Sequence, residues 1–142
     1  MNIRPKPILR GLADGFSLIE LMIVVAVMAI LLTIAMPGYQ TYMLRVHRTE
    51  AIGMLLQASM CQERIYATIG TYDTTRCQPD TAETRYEIDY TPADSQGRAY
   101  IAMATPTGAQ LEDTCGSLSL DQNGARAIST PDVSVTKCWN GR

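Results

Sequence analysis

The stretch GFSLIELMIVVAVMAILLTIAMPGYQ, Gly15 to Gln40, decides the fold. From Phe16 to Met36 it runs for 21 residues with a single ionisable side chain, Glu20. At about 1.5 Å of rise per residue a helix of that length spans roughly 31 Å, close to the hydrocarbon thickness of a bilayer. An acidic residue inside such a run is costly, at about 2.5 to 3.5 kcal/mol near the centre of a membrane. The carboxylate therefore needs a reason to be there. It is either a group at the membrane margin with no role, or half of a charge pair.

Two readings of the apolar run compete on the residues alone. In one it is a retained membrane helix with Phe16 near its cytoplasmic end. In the other it is the core of a secretory signal peptide cut after Ala35, which would release a secreted binding domain. Small residues at Thr33 and Ala35 suit the second reading. Asp14 and Glu20 do not, because they put acid into a segment that should be basic.

Charge is unevenly placed around this run. Residues 1–15 carry Arg4, Lys6 and Arg10 against Asp14, whereas residues 37–142 carry 9 basic and 12 acidic side chains. Neither part has the basic excess of a nucleic-acid binder, so no specific nucleic-acid partner is expected. The four cysteines, Cys61, Cys77, Cys115 and Cys138, lack CxxC spacing, and His47 is the one histidine, so no metal is expected. An even cysteine count in a small exported domain implies two disulfides in an oxidising compartment. Four cysteines allow three pairings. The short-loop pairing, Cys61 with Cys77 and Cys115 with Cys138, is the expectation, worth about 3 kcal/mol per bridge.

GFSLIEL and the apolar run it opens, up to Gln40, resemble the N-terminus of type IV pilins and of the related type II secretion pseudopilins. That family has a short basic leader ending in Gly, a Phe after the cut, a Glu four residues on, a long apolar helix and a Pro about twenty residues along. Gly15, Phe16, Glu20 and Pro37 occupy those positions. The resemblance implies cleavage by a prepilin peptidase between Gly15 and Phe16 and methylation of the new Phe16 amine. It also implies pairing of Glu20 with the Phe16 amine of a neighbouring subunit. The leader is longer than in most major pilins and points to a minor pilin. The stretch YIAMATPTGAQLEDTCGSLSLDQNG, Tyr100 to Gly124, and the closing Cys138-Trp139 look like minor pilins of the PilE type.

Beyond the apolar run, Pro37-Gly38 should bend or locally melt the helix. Some thirty further helical residues then end before Gly70. They carry two apolar stripes, Met54, Ala58, Cys61 and Ile65 on one and Ile52, Leu55, Leu56 and Tyr66 on the other. Two stripes suit a helix that packs on its own head and also lines a filament. The stripe with Cys61 should face the segment carrying Cys77. His47 lies between Arg45 and Arg48 in a charged helical patch and reads as solvated surface.

After Gly70 the pattern changes to short strands. RYEIDYT alternates with period two, RAYIAMATP and CGSLSL come next, and DQNGAR makes a turn. VSVTKCW is expected to form a fourth strand. DQNG resembles the start of a calcium loop, but the remaining ligands are missing, and a plain turn is the better reading. No catalytic motif or cofactor site is present, and the expectation is a non-enzyme.

The expected architecture is thus an α+β pilin fold. Residues 1–15 form a cleaved leader, 16–36 a membrane segment, 37–69 the amphipathic continuation of the helix, and 70–142 a disulfide-stapled antiparallel head. The resemblance implies a minor subunit of a type IV pilus, acting in assembly initiation, twitching motility and adhesion. Implied partners are the peptidase, major and other minor pilins, an inner-membrane assembly platform and lipid. The precursor would sit in the bacterial inner membrane with its head in the periplasm, and the mature subunit in the extracellular pilus. A minor pseudopilin of type II secretion is the alternative.

Overall fold

The computed structural model describes residues 15–79 and 84–141. Helix α1 runs from Leu18 to Ile69 without interruption. The chain separates into two compact units, one ending at Pro37 and the other starting at Gly38.

In the first unit every residue from Gly15 to Pro37 is exposed. This part of α1 is long and apolar enough to cross a membrane, and none of its apolar window is buried in the protein. Helix is the conformation that satisfies all backbone N–H and C=O groups within a single segment in lipid. Of the bend or local melting expected at Pro37 and Gly38, melting does not occur, since both lie within α1. Pro37 removes one backbone donor from the helical ladder, but one missing bond among 52 residues leaves the flanking turns intact.

The second unit is the head. Strands β1 (Tyr86–Pro92), β2 (Tyr100–Pro106), β3 (Leu118–Asp121) and β4 (Arg126–Ile128) form an antiparallel sheet in the order β1-β2-β3-β4. A short 3-10 helix, Gly108–Glu112, lies between β2 and β3, and helix α2 (Val135–Trp139) comes after β4. The register places Tyr86 opposite Pro106, Leu118 opposite Ala104, and Leu118 opposite Ile128 on its other side. Because side chains alternate along a strand, this puts Tyr86, Ile88, Tyr100, Ala102, Ala104, Leu118 and Leu120 on the buried face. They share one core with Ala51, Ile52 and Leu55 of α1. Ala102 and Ala104 are fully buried, and their small side chains leave room for the helix over the centre of the sheet.

The buried face of α1 in the head is Arg48, Ala51, Ile52, Leu55, Ala58 and Gln62. This is one stripe at helical spacing, lying between the two expected from sequence. Leu56 and Tyr66 of the expected second stripe are exposed, whereas Met54, Cys61 and Ile65 are half-buried. The helix stops where expected: Gly70 takes φ +77° and donates its N–H to the Tyr66 carbonyl at 2.8 Å.

The C-terminal expectation needs correction. VSVTKCW is not a strand: the fourth strand is Arg126–Ile128, and Val135–Trp139 is α2. Alternating Val133, Val135 and Lys137 imitate a strand, but burial falls on the adjacent Cys138 and Trp139 and does not alternate. A helical turn presents both at once, which lets Cys138 reach Cys115. Trp139 donates its indole N–H to the Ala127 carbonyl at 3.2 Å, and Arg126 lies 5.0 Å from its ring centroid. The tryptophan thereby caps the short edge strand.

Candidate functional site: an exposed assembly helix on a latched head

Gly15 and Phe16 lie just ahead of α1, and Phe16 is 86% exposed. In the intact chain the Phe16 nitrogen is an amide, so no charge is available there until the bond to Gly15 is cut. Glu20 falls in the first turn of α1. A carboxylate at that position is favoured by the helix dipole, by about 0.3 to 1 kcal/mol at an exposed site. The dipole therefore offsets only part of its cost in lipid. Leu18, Ile19, Leu21, Met22 and Ile23 around it are all more than half exposed. An apolar run with no protein cover is a surface that needs lipid or other helices against it.

The head is built to carry that helix. Arg48, next to His47, is 3% exposed and pairs with Asp113 at 2.7 Å. Asp113 also accepts from the Tyr86 hydroxyl at 3.0 Å, from Gln110 Nε2 at 3.0 Å and from the Cys115 N–H at 3.1 Å. Arg48 donates a further hydrogen bond to Cys115 Sγ. Gln110 Nε2 reaches back to the Leu44 carbonyl at 2.9 Å. A buried charge without a partner is costly, so these contacts latch α1 to the loop between β2 and β3. Burial also pushes the Tyr86 hydroxyl well above its ordinary pKa, with the nearby Asp113 charge adding to the shift.

A second latch holds the segment after Gly70. Gln62, fully buried on α1, donates to the carbonyls of Asp73 and Arg76 at 2.7 and 3.1 Å and accepts from the Asp73 N–H at 3.1 Å. Beside it Cys61 pairs with Cys77, whose φ of +65° is unusual for a residue with a Cβ. The Tyr90 hydroxyl donates to the Cys77 carbonyl at 2.8 Å. Cys115 pairs with Cys138, so among the described residues no cysteine is free. Neither Gln62 nor Gln110 is recognisable in sequence: the partners of Gln62 are backbone groups, and Gln110 reaches Leu44 and Tyr86 far along the chain as well as Asp113 nearby.

A run of tyrosines packs next to this latch. Tyr66 stacks on Tyr72 with centroids 4.6 Å apart, and Tyr72 and Tyr90 both meet Tyr100 edge-on. Burial and a hydrogen bond to Glu63 push Tyr72 up to about 12, and burial does the same for Tyr90. His47 stands 3.6 Å from Glu50 and is partly exposed, in keeping with a surface role. Asp121 accepts from the N–H groups of Asn123 and Ala125 and closes the DQNG turn, and no cluster of three metal-ligating side chains occurs among the described residues.

A single-pass apolar helix continued into an amphipathic half that packs on a stapled four-stranded sheet defines the class of type IV pilin subunits. Residues 37–119, more than half of the chain, match the family model described as type IV minor pilin ComP, DNA uptake sequence receptor. Residues 13–36 match the prokaryotic N-terminal methylation motif. The chain belongs to this type IV minor pilin family. Fimbrial protein Q of Moraxella bovis is 51% identical over 134 residues, covering 88% of this chain and 82% of that protein. A fimbrial protein of Pseudomonas aeruginosa is 29% identical over 133 residues, covering 89% and 82%. With the fimbrial protein EcpC of Eikenella corrodens the match is confined to 46 residues, 48% identical, and this chain spans only 30% of that protein. Among solved structures, a type IV pilin from Shewanella oneidensis superposes with a TM-score of 0.52 at 29% identity, covering 65% of this chain and 96% of that one.

Proposed function

We propose that this minor pilin is a low-abundance subunit that enters a type IV pilus after removal of residues 1–15 and N-methylation of Phe16. The observation that carries the proposal is the uncovered apolar surface from Phe16 to Met36, with Glu20 its one acid, joined to a fully stapled head. Before cleavage Glu20 has no counter-charge on its own segment. Cleavage creates an ammonium group on Phe16, and in a bundle of parallel helices Glu20 of one subunit neutralises the Phe16 amine of another. The pair is relieved of its cost only by a processed, correctly staggered neighbour, so it serves as a check on assembly. The inner-membrane platform, twitching motility and surface adhesion belong with such a filament. Mass spectrometry of the mature N-terminus tests the first step: N-methyl-Phe16 is expected, and a start at Met36 overturns the proposal. Deleting the gene tests the second. Loss of surface pili and twitching is expected, whereas loss of protein secretion with pili intact would assign the chain to a secretion pseudopilus.

The family's description as a DNA uptake sequence receptor supports a second reading in which the head contacts DNA. It needs a basic face, and residues 37–142 carry 9 basic against 12 acidic side chains. Arg45 and Lys137 do share one cleft, and both are exposed. Titrating labelled duplexes onto the full chain in detergent separates the readings. Sequence-dependent binding that weakens steeply with salt supports the receptor; no binding even at low salt removes it.

A further inference from the structure

A cleft of about 380 Å³ opens in the head beside the first turns of its part of α1, lined by Tyr39, Met43, His47, Arg85, Gln110 and Glu112 among others. Its walls carry opposite charges that do not neutralise each other: Arg85 and Glu112 are exposed, and neither forms an ion pair among the described residues. Its floor is fixed, because Gln110 is 1% exposed and is tied to Leu44, Tyr86 and Asp113. Its rim is aromatic, with Tyr39 64% exposed.

The cleft begins three residues after Met36, the last residue of the apolar run. Three residues span at most about 11 Å in any conformation, so Tyr39 lies at the depth of the polar headgroup layer when the apolar run is in a bilayer. Tyrosine is favoured at that depth, where its ring meets acyl chains and its hydroxyl meets water.

We infer that this cleft binds the headgroup of a zwitterionic phospholipid of the phosphoethanolamine type while the chain is held in the membrane. The Arg85 guanidinium takes the phosphate, the Glu112 carboxylate takes the ammonium, and Tyr39 and Met43 cover the glycerol end. A purely anionic headgroup such as phosphoglycerol would meet Arg85 but leave Glu112 facing a like charge, so the cleft selects between the two. A soluble phosphate compound would match the charges equally well. Only a lipid, however, is delivered to the cleft at high local concentration by the neighbouring apolar segment. The inference rests on the membrane-held precursor in the function proposed above.

The test uses the full chain, reconstituted into vesicles of equal phosphatidylethanolamine and phosphatidylglycerol and then extracted in mild detergent. Native mass spectrometry counts the lipids that remain bound. Roughly tenfold enrichment of phosphatidylethanolamine is expected for the natural chain. Arg85→Glu should abolish the enrichment, and Glu112→Gln should shift retention towards phosphatidylglycerol, with both variants melting at the natural temperature because both side chains are exposed. Equal retention of the two lipids, or enrichment unchanged in both variants, overturns the inference. So does a change in filament incorporation without a change in lipid preference, which would make the occupant another subunit. A chain that fails to enter vesicles at all overturns the membrane reading as well, so the two failures are distinguishable.

Discussion

A methyl group added at position 116 would lie 2.2 Å from the Ser129 hydroxyl, at a residue whose φ of +61° already disfavours any side chain. Gly116→Ala should therefore cost about 2 to 4 kcal/mol, read as a lowered urea midpoint. Gly53→Ala is the control: Gly53 is helical with nothing near its added methyl, and the change should stabilise by about 0.5 to 1 kcal/mol. At Arg48 the cost comes from charge and not from space. Arg48→Met leaves Asp113 buried and unpaired and should cost about 3 to 5 kcal/mol, while adding Asp113→Asn should recover part of that loss. A double-mutant cycle in chemical denaturation measures the coupling, and additive losses would show that the pair is not a unit. Nothing local in sequence marks Arg48 as buried. It sits in an Arg-Val-His-Arg patch, and its partner is 65 residues away.

At the scale of elements, legibility tracks the range of the signal. The end of α1 and strands β1 to β3 are visible in sequence because a terminating glycine and a period-two alternation are local. β4 is three residues long, too short to show a period, and α2 is a single turn fixed by the Cys115–Cys138 bridge and by Trp139 under Arg126. Neither contact is encoded near the residues it shapes. The two stripes expected on α1 are one in the structure because Gln62, through its backbone hydrogen bonds, and Arg48, through its ion pair with Asp113, are buried alongside Ala51, Ile52, Leu55 and Ala58. The membrane half is the most legible part, since a sustained apolar run needs no tertiary partner to be recognised. Its acid yields the sharpest prediction: Glu20→Ala should leave cleavage after Gly15 intact and reduce incorporation into filaments by about tenfold or more, the loss expected when a buried charge is left without its partner. Immunoblots of whole cells and of sheared pili measure both, and normal incorporation would contradict the charge-pair role.

For the molecule as a whole, the half-buried tyrosines beside the second latch set the alkaline limit. Tyr72 and Tyr90 hold their protons up to about 12 when folded, whereas in the unfolded chain they titrate near 10. Between those values the unfolded state binds fewer protons, so stability is full below about pH 10 and falls as pH rises towards 12. Denaturant midpoints taken from roughly pH 8 to about pH 11.5 should show a plateau and then a decline, with tyrosinate absorbance rising sharply at unfolding. Replacing Cys115 and Cys138 together by Ser should cost about 3 to 4 kcal/mol and free both α2 and the Trp139 cap, seen as a red-shifted tryptophan emission.

The Arg48–Asp113 latch is out of reach of dissolved ions. At about 1 M salt the screening length falls to about 3 Å, which weakens pairs with a solvent-exposed partner, such as Arg76 with Asp73, but leaves a pair buried at 2.7 Å untouched. Brine and fresh water should therefore find the same latch, equally strong, while the surface pairs of the head weaken as salt rises. Ionic strength then tunes the skin of the head and leaves its attachment to α1 alone.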